Sequence, residues 1–369
     1  MGVKFEFFAI LSFLKGKKMK ILQFFYENPP KGENLFTRKI TLDEKNTLIK
    51  GAKKSGKKSL IIGYLRAFES EEYLFLDFED LRFDEACLTQ LNAFLKAKKI
   101  KALIFYAIKK NFIYDFSQLS KSLQIIIATE FNSVHFENFR EIKLDFLDFE
   151  EFASISKITS LNTSLTGNFL QMGRSFLSQN ALNEYLQSHF SHLELEILKF
   201  VAENLGAEFS ANKLYQRLKL TQKTSKDSLY KALNELEDRG ILCFVFCEEK
   251  RLKRAYFADF ALKNALCVDK NFKQLFANVI LSELFKLKTP IIYNKFFDFY
   301  LKERHIAFLP SATLDIDLIK LKAKKILPKA LEFGILHIVF ITLSTEQSFY
   351  ERGVKFELIP FDAWALSFD

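Results

Sequence analysis

A glycine-bounded, lysine-rich segment is the part of this chain whose residue types could bind phosphate. Residues 51–59 read Gly-Ala-Lys-Lys-Ser-Gly-Lys-Lys-Ser, which is the G-x-x-x-x-G-K layout of a phosphate-binding loop. In such a loop the glycines allow close approach of the backbone, main-chain N–H groups surround the phosphates, and the lysine reaches the terminal ones. The predicted nucleotide-binding residues are Gly51, Ser55, Gly56, Lys57, Lys58 and Ser59.

One position of this segment departs from the phosphate-loop pattern. The residue after Lys57 should carry a hydroxyl that holds Mg²⁺, and here it is Lys58, with the nearest hydroxyl displaced to Ser59. Because Lys58 places a fixed cation beside the phosphates, we expect nucleotide binding to depend on Mg²⁺ less than usual. Binding and turnover are therefore separate questions for this loop.

The strand expected to carry a catalytic acid lacks one. Hydrolysis of ATP requires an acidic residue at the end of a core strand, to hold Mg²⁺ and to orient the attacking water. The strand predicted at 101–106 continues into Tyr106-Ala107, without Asp or Glu. We therefore predict nucleotide binding with little or no hydrolysis and assign no catalytic residue. The open alternative is a slow ATPase that uses Ser59 and an acid from the range 77–80.

The composition indicates a soluble protein with two or three domains. The chain has 369 residues, of which 49% are hydrophobic, so disorder is not expected. The four cysteines do not suggest a disulfide framework, and this favours the reducing cytoplasm as the compartment of the protein. The net charge of +9 permits a polyanionic partner. No segment is long and apolar enough to span a membrane, and Met19 is the expected translation start, which makes residues 1–18 an upstream extension.

The region around the loop predicts an α/β fold. Strands are predicted at 73–78, 101–106 and 123–129, and helices at 60–68 and 88–98. Unbroken apolar strands that alternate with helices are typical of a parallel sheet covered on both faces. Ligands of such sheets bind at the carboxyl ends of the strands, where the loop at 51–59 is expected to lie.

The region 193–262 predicts three helices and a hairpin, the order of a winged helix-turn-helix. In such modules the third helix can enter the major groove of DNA while the wing touches phosphates. The candidate DNA-binding residues are Lys226 and Lys231 on the third helix and Lys250, Arg251, Lys253 and Arg254 in the wing. The acidic residues Glu235, Glu237 and Asp238 on the same helix oppose DNA binding. The alternative is a module that packs against protein.

Five segments, taken in order, resemble those of a known family. Besides the loop at 51–59 they are residues 144–152, 169–176, 253–262 and 359–366. They are similar, in turn, to the elements PLSFxEF, yGGfP, kyYfxDxGL and iPlxxWL of prokaryotic AAA-type ATPases. In that family a phosphate-loop domain precedes a winged helix and a C-terminal domain similar to PD-(D/E)xK nucleases. The resemblance implies ATP as the cofactor, with Mg²⁺ as a further candidate.

The departures from the family pattern predict an inactive nuclease-like domain. Asp298 lies in a segment that looks like the nuclease Asp motif, but no E-x-K follows in the strand expected at 305–309. Asp315 and Asp317 are alternative metal ligands, although we expect them to lie in an exposed turn. Of the family's Glu-Asn pair, only Asn278 is present. We therefore predict no metal site and no nuclease activity.

These inferences divide the chain into an extension, three domains and a linker. The predicted ATPase domain spans 19–155 and is followed by a helical linker at 156–192, the winged helix at 193–262 and the nuclease-like domain at 263–369. The predicted function is ATP binding in a nucleotide-sensing or scaffolding role. The alternative from another class is a DNA-binding protein whose phosphate loop is vestigial. The sequence leaves the oligomeric state open.

Overall fold

A computed structural model describes residues 16–32, 38–156, 165–175, 177–312 and 315–367 of the chain. Most of the predicted extension, residue 176 of the third motif and part of the predicted linker lie outside these ranges. Two compact units are present: residues 1–146 with 238–240, and residues 147–237 with 241–369. Within the described ranges, no helix is both long enough and apolar enough to cross a bilayer.

In the described part of the first unit, five strands form a parallel sheet. They are β1 (Thr47–Lys50), β2 (Tyr73–Asp77), β3 (Ala102–Ile108), β4 (Gln124–Thr129) and β5 (Arg140–Lys143), in the order β2-β3-β4-β1-β5. All neighbouring strands are parallel. The α/β class predicted from the sequence is confirmed, with the loop at 51–56 at the carboxyl end of β1.

Helices cover both faces of this sheet. They are α1 (16–27), α2 (Lys57–Leu65) and α3 (Leu91–Ala97). Leu22 and Phe25 of α1 are buried against one face, and Ile61 of α2 is buried against the other. Every residue of β4 is buried, because its unbroken apolar run has covered faces on both sides.

Besides α1, which was not predicted, the structure differs from the sequence prediction at three elements of the first unit. Helix α2 begins at Lys57 rather than residue 60, because Gly56, at φ +93°, turns the chain directly into the helix. The helix predicted at 88–98 is a 3₁₀ turn, Glu85–Gln90, followed by α3, since the Asp84 carboxylate accepts a hydrogen bond from the Ala86 N–H. Strand β5 was not predicted, because its polar sequence lacks an apolar run.

The described residues of the second unit form a mixed sheet of eight strands. They are β6 (Leu242–Cys247), β7 (Lys253–Phe257), β8 (Ile292–Tyr293), β9 (Phe299–Leu301), β10 (Ile306–Pro310), β11 (His337–Thr342), β12 (Gln347–Glu351) and β13 (Val354–Pro360). Their order is β12-β13-β11-β10-β9-β8-β6-β7. The hairpin β6–β7 therefore continues the sheet of the C-terminal strands through the pairing of β6 with β8. The strands on either side of the boundary predicted at residue 262 therefore belong to one sheet.

Ten helices are described in the rest of the chain. They are α4 (Phe149–Ile155), α5 (Leu165–Met172), α6 (Gln179–His189), α7 (His192–Glu203), α8 (Ala211–Thr221), α9 (Lys226–Asp238), α10 (Ala261–Leu266), α11 (Phe272–Leu284), α12 (Ile316–Glu332) and α13 (Phe361–Ala365). A Ser191–Glu194 capping box starts α7, and Ser210 caps α8. The chain leaves α9 at Gly240, whose φ is +65°. Helices α7, α8 and α9 and the hairpin thus follow one another in the predicted order.

Candidate functional site

The loop between β1 and α2 needs a glycine at both ends. A Cβ on Gly51 would lie 2.1 Å from the carbonyl oxygen of Leu144, a distance that no side chain tolerates. Gly56 has a φ of +93°, which favours glycine, and forms the N-cap of α2 without a side-chain cap. The unpartnered N–H groups at the start of α2, a nine-residue helix, therefore face the loop. Such a helix start attracts anions.

Lys57 is buried in the loop and is held by the loop's own backbone. Its side-chain Nζ donates to the carbonyl oxygens of Gly51, at 2.6 Å, and Ala52, at 2.8 Å. Burial lowers the pKa of Lys57 to about 8, and the negative charges of Glu130 and Glu79 oppose this shift. The ammonium thus has two neutral acceptors and no contacting carboxylate in the described structure. A phosphate would be a better partner for it.

Ser55 supplies a second unsatisfied group in the same loop. The residue is 3% exposed, and its Oγ has no hydrogen-bond partner among the described residues. A buried hydroxyl without a partner costs about 1–3 kcal/mol. A bound anion with acceptor oxygens would remove this cost.

Arg38 precedes the loop in the sequence and is hydrogen-bonded to the loop backbone. The sequence did not indicate this contact. Its guanidinium is buried and donates from Nη1 to the Ser55 carbonyl, at 2.6 Å, and from Nη2 to the Asp145 carbonyl, at 2.9 Å. The acceptors are backbone atoms, one of them 107 residues away in the chain. No residue type or spacing could have signalled this contact.

Lys58 lies at the position where the loop pattern requires a metal-binding hydroxyl. Its Nζ forms an ion pair with Asp77 at the end of β2, at 2.8 Å from Oδ2. The same ammonium lies 5.3 Å from the ring centroid of Tyr106 and 5.7 Å from that of Phe75. Ser59 is the next residue of α2, so its hydroxyl is rotated by about 100° around the helix from Lys58. The structure therefore brings together Lys58, Asp77 and Tyr106, which the sequence singled out separately.

The acids that could have served a slow ATPase all have cationic partners. Besides Asp77 with Lys58, Glu79 pairs with Lys53 at 2.6 Å. Asp80 binds Arg82 through two bonds, at 2.8 and 2.6 Å, and the pKa of Asp80 is lowered to about 2, mainly by the hydrogen bond from Arg82. Each carboxylate would have to leave a lysine or arginine before it could hold a metal ion.

The six candidate DNA-binding residues fall into two groups. Lys226, Lys231, Lys250 and Arg251 are exposed. Lys253 is half-buried, with its Nζ 3.4 Å from the ring centroid of Phe244, and burial lowers the pKa of Lys253. Arg254 pairs with Asp298 at 3.2 Å and lies over the ring of Tyr293. Lys253 and Arg254 therefore contact other groups of the protein, which the sequence did not indicate.

The residues considered for a nuclease-like metal site do not converge. Asp298 is paired with Arg254, as described above. Asp315 is the N-cap of α12 and accepts bonds from the N–H groups of Asp317 and Leu318, so the expected turn is the exposed first turn of a helix. Strand β10 begins after His305, whose φ is +53°. Among the described residues, no three His, Cys, Asp or Glu side chains group as metal ligands would.

Four of the five segments that carry the family resemblance meet in one core. We call the aromatic cluster the buried rings of Phe149, Phe152, Phe169, Phe260 and Phe361, whose contacting centroids are 5.0 to 6.3 Å apart. Gly173 (φ +72°) packs so closely that a Cβ would lie 2.6 Å from Oδ1 of Asp259. The Asp259 carboxylate accepts bonds from the Arg174 and Ser175 N–H groups. These segments therefore build structure, although Ser175 Oγ and Arg254 Nε within them, like Ser55 Oγ in the loop, lack a hydrogen-bond partner among the described residues.

Comparisons with known proteins give distant structural likenesses. The sequence matches no protein-family model and no curated protein. The fold is similar to that of a Walker-type ATPase of Pyrococcus abyssi, with 13% identity, a TM-score of 0.40, and coverage of 68% of this chain and 94% of that one. It is also similar to the Orc1 protein of Aeropyrum pernix, solved in complex with DNA, with 12% identity, a TM-score of 0.34, and coverage of 63% and 88%.

A third likeness is to a signal-transduction ATPase with numerous domains from Pyrococcus horikoshii, which carries a tetratricopeptide repeat sensor. Here the identity is 12% and the TM-score 0.26, over 71% of this chain and 48% of the other. This chain thus spans about half of that protein. At such identities and TM-scores the functions of these proteins do not transfer to this chain by similarity.

Proposed function

We propose that the first unit binds ATP through the loop at 51–59 and hydrolyses it slowly or not at all. The observation that carries this proposal is Lys57, a buried ammonium whose hydrogen-bond acceptors among the described residues are two carbonyl oxygens of its own loop. A pKa lowered to about 8 means that burying the charge costs roughly 3 kcal/mol. A phosphate group that displaces the two carbonyls would offset that cost. The loop is therefore built for an anion.

The residues around the loop fit phosphates better than they fit Mg²⁺. Lys57, the Ser55 hydroxyl and the start of α2 all present donors or positive charge. The position that would hold Mg²⁺ is taken by the Lys58 ammonium and its Asp77 partner. A divalent cation there would be repelled by the Lys58 ammonium. A protein with this arrangement can report nucleotide levels or serve as a scaffold without turnover.

The first test is calorimetric titration of the full chain with ATP, with and without Mg²⁺. Lys57→Ala should weaken ATP binding about tenfold or more, because it removes a charge-assisted hydrogen bond worth roughly 1.5–3 kcal/mol. Lys54→Ala is the matched control, since Lys54 belongs to the same loop but is exposed. Its affinity should stay within about threefold of the wild type. Absence of ATP binding by the wild type at millimolar concentrations would rule the proposal out.

The second test is release of phosphate under saturating ATP. Turnover should stay far below the 1–100 s⁻¹ (order of magnitude) of ordinary phosphoryl-transfer enzymes, because neither a metal-binding hydroxyl nor a free acid is in place. A rate inside that range that disappears in Lys57→Ala would contradict the absence of hydrolysis while leaving ATP binding intact.

Exposed cations favour a second candidate function, binding of DNA by the second unit. Lys226 and Lys231 on α9 and Lys250 and Arg251 in the turn after β6 are available to phosphates. Four such contacts predict a slope of about −3.6 when the logarithm of affinity is plotted against that of salt concentration. In this candidate function the loop at 51–59 would be vestigial.

The salt dependence of DNA binding tests this candidate with the full chain, since the hairpin shares a sheet with β8. Replacing Lys250 and Arg251 by Gln should reduce the slope by about 1.8 and weaken binding to all sequences equally. Lys253→Gln, the matched control within the hairpin, should leave the slope unchanged, because Lys253 faces Phe244. No binding at low salt would exclude DNA as a partner.

A further inference from the structure

A cavity of about 330 Å³ lies beside Lys58 in the first unit. The end of α1 forms one wall, and the end of β2 with the segment after it forms the other. Its apolar lining comes from Phe24, Phe25, Pro30 and Phe75, and its polar lining includes Asp77, Asp80 and Arg82. The volume is that of a small organic molecule. The proposed function assigns no ligand to this cavity, although Lys58 and Asp77 line it.

The groups around the Lys58 ammonium, of which Asp77 and Phe75 line the cavity, have the composition of an ammonium-binding niche. The Lys58 ammonium touches one carboxylate, that of Asp77, and lies near the ring centroids of Tyr106 and Phe75. Carboxylates bind ammonium groups by charge-assisted hydrogen bonds, and aromatic faces attract cations through their quadrupoles. In the described structure the protein fills this niche with its own lysine.

A bound nucleotide would compete with the niche for Lys58. This step rests on the proposed function, in which the terminal phosphates lie next to residues 57 and 58. The Lys58 side chain is 43% exposed and flexible enough to turn toward a phosphate, whereas the Asp77 side chain is only 17% exposed. Asp77 would then be a largely buried carboxylate that has lost its cation, which is strongly unfavourable. Arg82 cannot replace the lysine without leaving Asp80.

We propose that the cavity binds a small organic ammonium with an aromatic body, and that this ligand replaces Lys58 at Asp77 when nucleotide is bound. The ammonium restores the charge pair with Asp77, and the aromatic body packs beside Phe24, whose ring centroid lies 4.2 Å from the Arg82 guanidinium carbon. Mg²⁺ is a poorer occupant, because it demands near-octahedral oxygen coordination and two of the niche's faces are rings. Nucleotide and ammonium therefore strengthen each other's binding.

The experiment uses phenethylamine and its uncharged analogue 2-phenylethanol. In Lys58→Met the niche is vacant without nucleotide, so phenethylamine should bind at least tenfold more tightly than to the wild type, and at least tenfold more tightly than 2-phenylethanol. Lys54→Met removes the same charge from the exposed part of the loop and should bring no gain. Lys58→Ala repeats the measurement with the whole side chain removed. Equal binding of the amine and the alcohol, or binding of neither, by both Lys58 variants overturns the proposal.

The coupling with nucleotide is measured on the wild type. Saturating ATP should tighten phenethylamine binding, and saturating phenethylamine should tighten ATP binding by the same factor, because coupling free energies are reciprocal. Asp77→Asn should abolish the coupling. If the amine binds to Lys58→Met but ATP leaves its affinity for the wild type unchanged, the exchange of Lys58 is wrong. If ATP does not bind at all, the proposed function fails, while the Lys58 variants still decide the ammonium site.

Discussion

The loop at 51–59 and the aromatic cluster both contain motifs that carry the family resemblance, but the buried polar groups of the two regions differ in their hydrogen-bond partners. In the cluster, rings such as those of Phe149 and Phe169 are fully buried against one another, and the Asp259 carboxylate next to it has three N–H partners. In the loop, Lys57 is a buried charge held by neutral carbonyls and Ser55 has a buried hydroxyl without a partner. The feature that distinguishes the loop is a buried charge whose described partners are neutral carbonyls, and this feature supports a ligand there.

The largest expected effect is on stability, from the centre of the aromatic cluster. Phe169→Ala should lower the free energy of unfolding of the second unit by about 3–5 kcal/mol, because it leaves a cavity among four other rings. Denaturant unfolding followed by circular dichroism measures the change. Leu220→Ala is the control, since Leu220 is 87% exposed and should change stability by less than about 0.5 kcal/mol. A loss below about 1 kcal/mol for Phe169→Ala would mean that the cluster is not the structural core inferred above.

A substitution of Lys57 in the loop should change the affinity for ATP without lowering the stability of the nucleotide-free protein. Lys57→Met should weaken ATP binding about tenfold or more, yet leave the nucleotide-free protein as stable as the wild type or more stable. The reason is that burial opposes the charge of Lys57, so an apolar side chain of similar length avoids that cost. Calorimetry gives the affinity, and thermal unfolding without nucleotide gives the stability. A clear drop in melting temperature would show that Lys57 stabilises the nucleotide-free protein. The loop and the aromatic cluster would then not differ in the way described above.

The pH dependence of ATP binding should reflect the same lysine. The pKa of Lys57 in the folded protein is about 8, below its ordinary value of 10.5, so the protonated form that phosphate requires is lost as pH rises above 8. Affinity should then fall by up to about tenfold per pH unit. Between pH 8 and 10.5 the unfolded chain binds more protons at this residue, so its contribution to stability rises with pH. Lys57→Met should lack this fall in affinity, and a wild-type affinity constant up to pH 9.5 would refute the assignment.

The smallest expected effect comes from Gly63, which lies in neither the loop at 51–59 nor the aromatic cluster and whose position does not require glycine. Gly63 lies inside α2, and a Cβ there would meet no atom within 4 Å, in contrast to Gly51, where it would meet the Leu144 carbonyl. Gly63→Ala should therefore stabilise the first unit by about 0.5–1 kcal/mol through helix propensity and leave ATP affinity unchanged. Thermal unfolding with and without ATP checks both statements. A loss of stability would show that α2 has less room beside the loop than the structure indicates.

The sequence predicted the parts of the first unit whose signals are local. Apolar runs such as those of β3 and β4 indicate buried strands because burial on both faces excludes polar side chains. Strand β5 was missed because an edge strand with exposed charged residues carries no such signal. The 3₁₀ turn before α3 was also missed, since its cap depends on a bond between the Asp84 side chain and the Ala86 N–H rather than on apolar spacing.

The sequence by itself determined the loop of the candidate site, because a phosphate cradle requires glycine at fixed spacing and a lysine at its end. Only the tertiary structure decided how that loop is held and used. It selected Asp77 as the partner of Lys58 from three nearby acids, placed Arg38 on the loop carbonyl of Ser55, and turned Arg254 toward Asp298. Contacts between residues far apart in the chain, often through backbone carbonyls, leave no pattern in residue types. The partner of each of these charged side chains is therefore known only from the tertiary structure.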